Sequence, residues 1–287
     1  MYNGILVFDK PRDCTSHDAV AKLRGILRQR KIGHAGTLDP MATGVLVVLL
    51  GNATRASDYA AAQTKEYIAG LRLGTVTDTQ DITGKVLEER PCDVTPKQLV
   101  QTLRAFTGDI SQLPPMYSAV SVGGVRLYKL ARKGEEIERQ ARDIEIQDIE
   151  LLSSEGLEHS LNVTCSKGTY IRTLCHDIGQ VLGCGGAMSS LRRTMASGFA
   201  IAQAVTMDDV QERGADLLLP LDAYFGDLPA YRIPSAGRET RVRNGNPIAD
   251  PSLADGRYRV YGRDGAFLCL SEARGGELTA VKNFFGK

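Results

Sequence analysis

The sequence predicts an α+β protein with a small β-rich module near its C-terminal end. Three observations point there. The apolar run Ile5 to Phe8 reads as a buried strand, and Val45 to Leu50 is a second, strongly apolar run. Between such runs lie segments whose apolar residues recur at helical spacing. Beyond Asp227-Leu228-Pro229, residues 257–261, 266–270 and 277–281 are short strand-like runs separated by Gly turns.

In chain order, the first strand ends in Asp9-Lys10-Pro11. Ser16 is placed to cap a helix running to about Gln29, with Val20, Leu23 and Leu27 on one face. Gly33-His34-Ala35-Gly36-Thr37-Leu38-Asp39-Pro40 follows as a loop, then the strongly apolar 45–50 segment. Residues 52–62 look helical, and Glu66 to Leu73 reads as a strand. Thr95 starts a helix with Leu99, Leu103 and Phe106 at core spacing. The stretch 113–145 opens on Pro114-Pro115, turns at Gly123-Gly124 and is dense in charge, which marks a surface arm or insertion. Strand patterns return at 144–152 and 157–165, and a helix from about Thr169 to Leu182 buries Ile171, Leu174, Cys175, Ile178 and Val181.

Composition narrows the function classes. Of 287 residues, 43% are apolar and 24% charged, which argues against a disordered chain. The net charge of +1 excludes a uniformly basic nucleic-acid binder and leaves room for a locally basic one. From residue 229 onward, 10 Lys and Arg stand against 6 Asp and Glu; before it the balance is 25 to 28. A basic module behind a near-neutral larger unit suggests an appended nucleic-acid grip, although a small domain can be basic for no functional reason. The longest apolar run is too short to cross a bilayer. Nothing near the first residue resembles an export signal, so the cytoplasm is the expected compartment. The six cysteines include no C-x-x-C pair and the four histidines no H-x-x-x-H pair, so a metal site is not expected.

Two segments carry chemistry. The glycines at 33 and 36 allow close backbone approach, and Pro40 biases Asp39 away from helical geometry. By itself an Asx turn accounts for this loop equally well. In Lys167-Gly168-Thr169-Tyr170-Ile171-Arg172, however, Arg172 falls in the first turn of a helix. A cation there faces the positive end of the dipole, a penalty of roughly 0.3–1 kcal/mol unless an anion offsets it. A planar guanidinium suits a carboxylate. Spacing alone does not show that the two residues meet.

The run from Gly33 to Gly44, Gly33-His34-Ala35-Gly36-Thr37-Leu38-Asp39-Pro40-Met41-Ala42-Thr43-Gly44, resembles the catalytic motif of the TruB family of tRNA pseudouridine synthases. Asp9-Lys10-Pro11 through Thr15-Ser16 is similar to that family's first motif, and Lys65-Glu66-Tyr67 to its tyrosine motif. Pro114-Pro115-Met116-Tyr117-Ser118-Ala119 and the stretch Leu127 to Gly134 resemble its RNA-gripping insertion. Lys167 to Leu174 and Leu191-Arg192-Arg193-Thr194 resemble its later motifs. Asp13 departs from the pattern, standing where the family usually has Gly.

The resemblance implies a pseudouridine synthase fold on a mixed, largely antiparallel sheet, with residues 1–228 as catalytic domain, an RNA-binding insertion over about 113–145, and residues 229–287 as a PUA-like RNA-binding domain. It implies isomerisation of uridine 55 in the tRNA T-arm to pseudouridine, with base flipping and no cofactor or metal. Asp39 would be the nucleophile, Arg172 its counter-charge, and Tyr67 a stacking and proton-relay group. His34, Tyr170 and Leu191 would line the base pocket, and Lys10 would support the site, counted among the substrate-binding residues. Lys22, Arg24, Arg28, Arg30 and Lys31, with the 126–133 arm, would take phosphates. A monomer acting without guide RNA or obligatory protein partner is expected. The alternatives are a tRNA-folding chaperone of the same fold with little or no catalysis, and a guide-RNA-dependent relative.

Overall fold

The computed structural model describes residues 1–61 and 64–286. Strand β1 (Gly4–Lys10) is almost wholly buried, which is why its sequence is apolar without alternation. Helix α1 (Ser16–Ile26) is capped by Thr15 rather than by the expected Ser16. The Asp18 amide donates to Thr15 Oγ1 at 3.0 Å, and the Thr15 amide donates back to the Asp18 carboxylate at 3.0 Å. The helix stops short of Gln29 because Arg28 adopts φ +49°. Strands β2 (Ile32–Ala35) and β3 (Thr43–Leu50) follow. In place of the helix expected over 52–62 there is a 3-10 segment, Gly51–Ala56, and one α-turn, α2 (Ser57–Ala61); position 62 lies outside the described residues.

Strand β4 (Lys65–Leu73) leads into a hairpin of β5 (Thr75–Thr77) and β6 (Val86–Glu89). Helix α3 (Pro96–Ala105) has Thr95 as N-cap, Pro96 at its start, and Leu99 and Leu103 buried. Strand β7 (Gly108–Gln112) precedes the arm, which holds β8 (Ser121–Val122), β9 (Val125–Arg126) and α4 (Leu127–Ala131). The arm is shorter than the sequence implied. Residues 142–145 open strand β10 (Arg142–Glu155) and pair with β7, which leaves 113–141 outside the sheet. Then come β11 (Glu158–Cys165), α5 (Ile171–Val181), β12 (Gly186–Ala196), β13 (Phe199–Ala200) and α6 (Met207–Arg213).

The main sheet runs β1-β3-β12-β4-β11-β10-β7, with β2 added on β3 and β13 on β12. It is antiparallel except where β12 meets β3, pairing Arg192 with Thr43 and Arg193 with Gly44. That single parallel contact brings the end of the Gly33–Gly44 segment against Leu191-Arg192-Arg193-Thr194. One face packs Leu71, Leu99, Ile146, Leu174 and their neighbours under α3 and α5; another cluster seats α1 against β1 and β3.

The second sheet comprises β14 (Ala230–Arg232), β15 (Ile248–Ala249), β16 (Gly256–Tyr261), β17 (Phe267–Arg274) and β18 (Glu277–Asn283), in the order β14-β16-β17-β18-β15, with helix α7 (Ala236–Arg243) beside it. It is joined to the main sheet by aromatic packing. Phe225 lies 5.9 Å from Phe267, 5.7 Å from Phe284 and 5.8 Å from Tyr59, ring centre to ring centre. The Arg55 guanidinium adds a bond to the Phe285 carbonyl at 2.8 Å.

Candidate active site

The loop between β2 and β3 is held from below by three side chains or backbone groups of the first motif. Ser16, released from capping, donates its hydroxyl to the Leu38 carbonyl at 3.2 Å and accepts from the Leu38 amide at 2.9 Å. The Asp13 amide donates to the Pro40 carbonyl at 2.9 Å. Asp13 itself adopts φ +61°, a left-handed conformation that Gly takes most readily and Asp tolerates. The departure from the family motif therefore leaves this turn intact. Lys10 donates to the carbonyls of Cys14 at 2.7 Å, Pro11 at 2.8 Å and Pro40 at 3.4 Å. This corrects the expectation for Lys10. It is fully buried, so it braces the loop and offers no surface to a substrate. Burial pushes its ammonium below the ordinary lysine range, while the nearby charges of Cys14 and Asp39 act the other way.

Arg172 reaches this loop from the opposite side. The helix start is fixed by buried Gln112 of β7, whose side chain accepts from the Tyr170 amide at 2.8 Å and donates to the Tyr170 carbonyl at 3.1 Å. Arg172 then occupies the first turn of α5, as its sequence position implied. Its Nε lies 2.9 Å from Asp39 Oδ2, and its Nη2 donates to Asp39 Oδ1 at 3.2 Å. The two anomalies of the sequence are thus one bidentate pair. Arg172 also donates to the Tyr117 carbonyl at 2.8 Å and the Thr79 carbonyl at 3.2 Å. Its side chain is 6% exposed, whereas that of Asp39 is 35% exposed, so the carboxylate keeps an open face.

Asp81, which sequence reasoning missed, is the second acid near this guanidinium. Its Oδ2 lies 3.9 Å from Arg172 Nε. Its Oδ1 accepts from the Thr83 amide at 2.9 Å, the Thr83 hydroxyl at 2.5 Å and the Thr79 hydroxyl at 3.0 Å. The signal was the Thr79–Thr83 frame around a buried acid in the β5–β6 turn, but only the fold aims that turn at α5.

Tyr67 is buried in the cluster that holds Leu38, Met41, Ile171 and Leu191. Burial pushes its phenol up, and the charge of Asp39 adds to this; the neighbouring Arg193 guanidinium pulls the other way. Leu191 stands beside Tyr67 in the sheet, paired with Ala69. Tyr170 is half-buried at the start of α5. His34 lies on β2, its ring edge-on to His17 at 6.3 Å. Burial, and then the charges of His17 and Arg193, push its imidazole below the ordinary range. Its Nδ1 is buried without a partner among the described residues. Lys65, behind Gly36, is pushed down to about 8 by burial and by Arg193. Among the described residues no group of three or more His, Cys, Asp or Glu could hold a metal ion.

Residues 24–171 match the family model described as TruB family pseudouridylate synthase (N terminal domain), and residues 172–225 that of the tRNA pseudouridylate synthase B C-terminal domain. The chain belongs to the TruB family. Among curated relatives, the tRNA pseudouridine synthase B of Syntrophomonas wolfei is 46% identical over 280 residues, covering 94% of this chain and 93% of that protein. That of Clostridium kluyveri is 41% identical over 288 residues, covering 98% and 99%. Among solved structures, this TruB-family chain superposes on a chain of a Cbf5-Nop10-Gar1 complex with TM-score 0.76 and 28% identity, covering 98% of this chain and 85% of the other. A chain of an H/ACA RNP bound to a substrate RNA containing 2'-deoxyuridine gives 0.74 and 26%, covering 99% and 85%. No helix among the described residues is long and apolar enough to cross a membrane.

Proposed function

We propose that this TruB-family protein isomerises uridine 55 in the T-arm of tRNA to pseudouridine, with Asp39 as nucleophile. The observation that carries this reading is the Arg172–Asp39 fork, in which a nearly buried guanidinium orients a carboxylate that stays partly open. Full-length relatives named tRNA pseudouridine synthase B support the choice of tRNA. In the reaction the N1–C1' bond breaks, the uracil turns, and a C5–C1' bond forms while C5 loses a proton and N1 gains one. Asp39 adds to the base or to the sugar carbon, dividing one difficult step into two. No redox carrier enters, because substrate and product are isomers.

The target uracil must leave its stack, at a cost of a few kcal/mol. Stacking on Tyr67 or the neutral ring of His34 offsets about 1–3 kcal/mol of this. Leu191 and Tyr170 complete the pocket. Exposed Lys22, Arg28 and Arg30 beside the loop, and Arg126, Lys129, Arg132 and Lys133 on the arm, take phosphates. Arg24 serves differently, bracing β2 through the Ile32 carbonyl at 2.6 Å. We read residues 229–287 as a PUA-like grip that adds Arg241, Arg257, Arg263 and Arg274 to the same electrostatic surface. In this reading the enzyme works in the cytoplasm as a monomer, without guide RNA.

The test uses purified protein and a T-arm hairpin carrying 5-tritiated uridine. Wild type releases tritium and leaves pseudouridine at one position; Asp39→Asn binds the hairpin and releases none. Near-full turnover by Asp39→Asn removes the nucleophile assignment. RNA binding and refolding by the wild type without any tritium release favours the chaperone reading.

A further inference from the structure

Arg193 is the largest fully buried side chain among the described residues, 1% exposed, and the reaction above gives it no part. It stands in β12 between Tyr67 of β4 and Gly44 of β3. Its Nε donates to the Val45 carbonyl at 2.7 Å, and its Nη2 to the Gly36 carbonyl at 3.0 Å. Across the antiparallel β12–β4 pairing Arg193 stands directly opposite Tyr67, so the two side chains share one face of the sheet and the guanidinium's charge acts on the phenol. No carboxylate lies within ion-pair distance of it among the described residues. A buried charge without a counter-ion is costly to keep, so its placement against a phenol calls for a reason.

Chemistry supplies one. A guanidinium has donors and no acceptor, so toward Arg193 the oxygen of Tyr67 can only accept. The phenol's own O–H is then not spent on Arg193. Of the groups acting on this phenol, burial, Cys165 and Asp39 all oppose negative charge on its oxygen, and Arg193 alone favours it.

We propose that Arg193 is the positioning residue for Tyr67: from behind, it holds the phenol oxygen as acceptor so that the tyrosine can carry the C5 proton of the turned uracil to N1. The step balances. As the C5–C1' bond forms, the C5 proton passes to the phenol oxygen and the phenol's original proton passes to N1. The tyrosine ends unchanged, and Arg193 steadies the partial negative charge between. The same guanidinium holds Gly36, so the tyrosine and the Asp39 loop share one support. The proposal rests on the synthase reading and on Tyr67 handling a proton.

The experiment combines Arg193→Lys and Arg193→Met with 3-fluorotyrosine, a more acidic phenol, at position 67. Single-turnover tritium release should fall by about 10²-fold in Arg193→Met, with RNA affinity within about threefold of wild type. Arg193→Lys, which keeps the charge, should retain more activity. Fluorotyrosine should restore roughly tenfold to Arg193→Met, since a more acidic phenol needs less help. A structural arginine would give a loss indifferent to the acidity of residue 67. Folded Arg193→Met with wild-type rates, or a loss that fluorotyrosine leaves untouched, overturns the proposal. Should neither variant fold, the intact enzyme with fluorotyrosine decides: its pH–rate limb must move to lower pH, and an unmoved limb overturns the proposal. Wild-type turnover by Tyr67→Phe, with Asp39→Asn inactive, removes the tyrosine relay and leaves the synthase reading standing. A wild type without tritium release takes down both.

Discussion

Arg172 and Asp39 are 133 residues apart in the chain and are joined through two nitrogens and two oxygens. The fork fixes both the position and the plane of the carboxylate, which a single contact cannot do. Arg172→Lys therefore keeps the charge and loses the plane. Turnover should drop by about 10²-fold or more, with hairpin affinity changed by less than about fivefold. Single-turnover tritium release beside filter binding measures both. Equal losses in rate and affinity would mean that Arg172 serves RNA binding.

Asp81 orders the turn that faces Arg172 through three hydrogen bonds to one oxygen. Asp81→Asn removes the charge and weakens those bonds, for a loss of about 1–3 kcal/mol in folding stability. Turnover should fall further than the folded fraction does, because the Thr79 carbonyl that holds Arg172 lies in the same turn. Urea midpoints with rates corrected for folded protein separate the two effects.

Gly44 lies so close to the backbone of Arg193 that a Cβ there would overlap its carbonyl oxygen and sit 2.8 Å from its amide nitrogen, at φ +102°. Gly44→Ala should cost about 2–5 kcal/mol through overlap and backbone strain together. Gly33 offers the control. A Cβ there meets nothing closer than Thr54 Cγ2 at 3.9 Å, so Gly33→Ala should melt within a few degrees of wild type, about 1 kcal/mol or less. Circular dichroism melts give the comparison, and similar melts for the two variants would refute it.

His34, His159 and His176 all have imidazoles pushed below the ordinary value of 6.5, chiefly by burial. Unfolded chains take up these protons first as pH falls through 6.5, so the folded state loses stability there and holds it fully above. The urea midpoint should decline between pH 7 and about 5.5. His159→Gln, at a buried site whose Nδ1 contacts the Ser154 hydroxyl at 2.9 Å, should flatten the decline. Asp177, whose carboxyl burial pushes up to about 6, takes up a proton in the folded state over the same range and acts the other way. The readout is therefore the difference between His159→Gln and wild type: equal pH profiles would contradict the direction of the His159 shift.

Many of the strands and helices were legible because apolar runs and helical spacing are local properties. Strands β7 and β12 were not, and β2 stands where a loop was expected. A 3-10 segment and one α-turn replace the 52–62 helix, and Val181 of α5, expected in the core, is exposed. Thr95 as a cap, the short C-terminal strands and the anomalous Arg172 could all be read from neighbours in the chain. Even the Asp13 departure resolved locally, since Asp tolerates the left-handed turn that Gly prefers. Three features were decided only by the fold. Ser16 gives up capping to hold Leu38, because the loop returns over α1 by a sheet pairing that no local pattern encodes. Lys10 turns inward beneath Pro40, so a residue expected to meet substrate is sealed away. Asp81 and Arg193 join the site because β5–β6 folds toward α5 and because β12 enters beside β3 in parallel. Charge in a buried site acts through distance and desolvation, and both are properties of tertiary packing; residue order, with the family resemblance it carries, pointed to the proposed reacting groups but not to the groups that hold them.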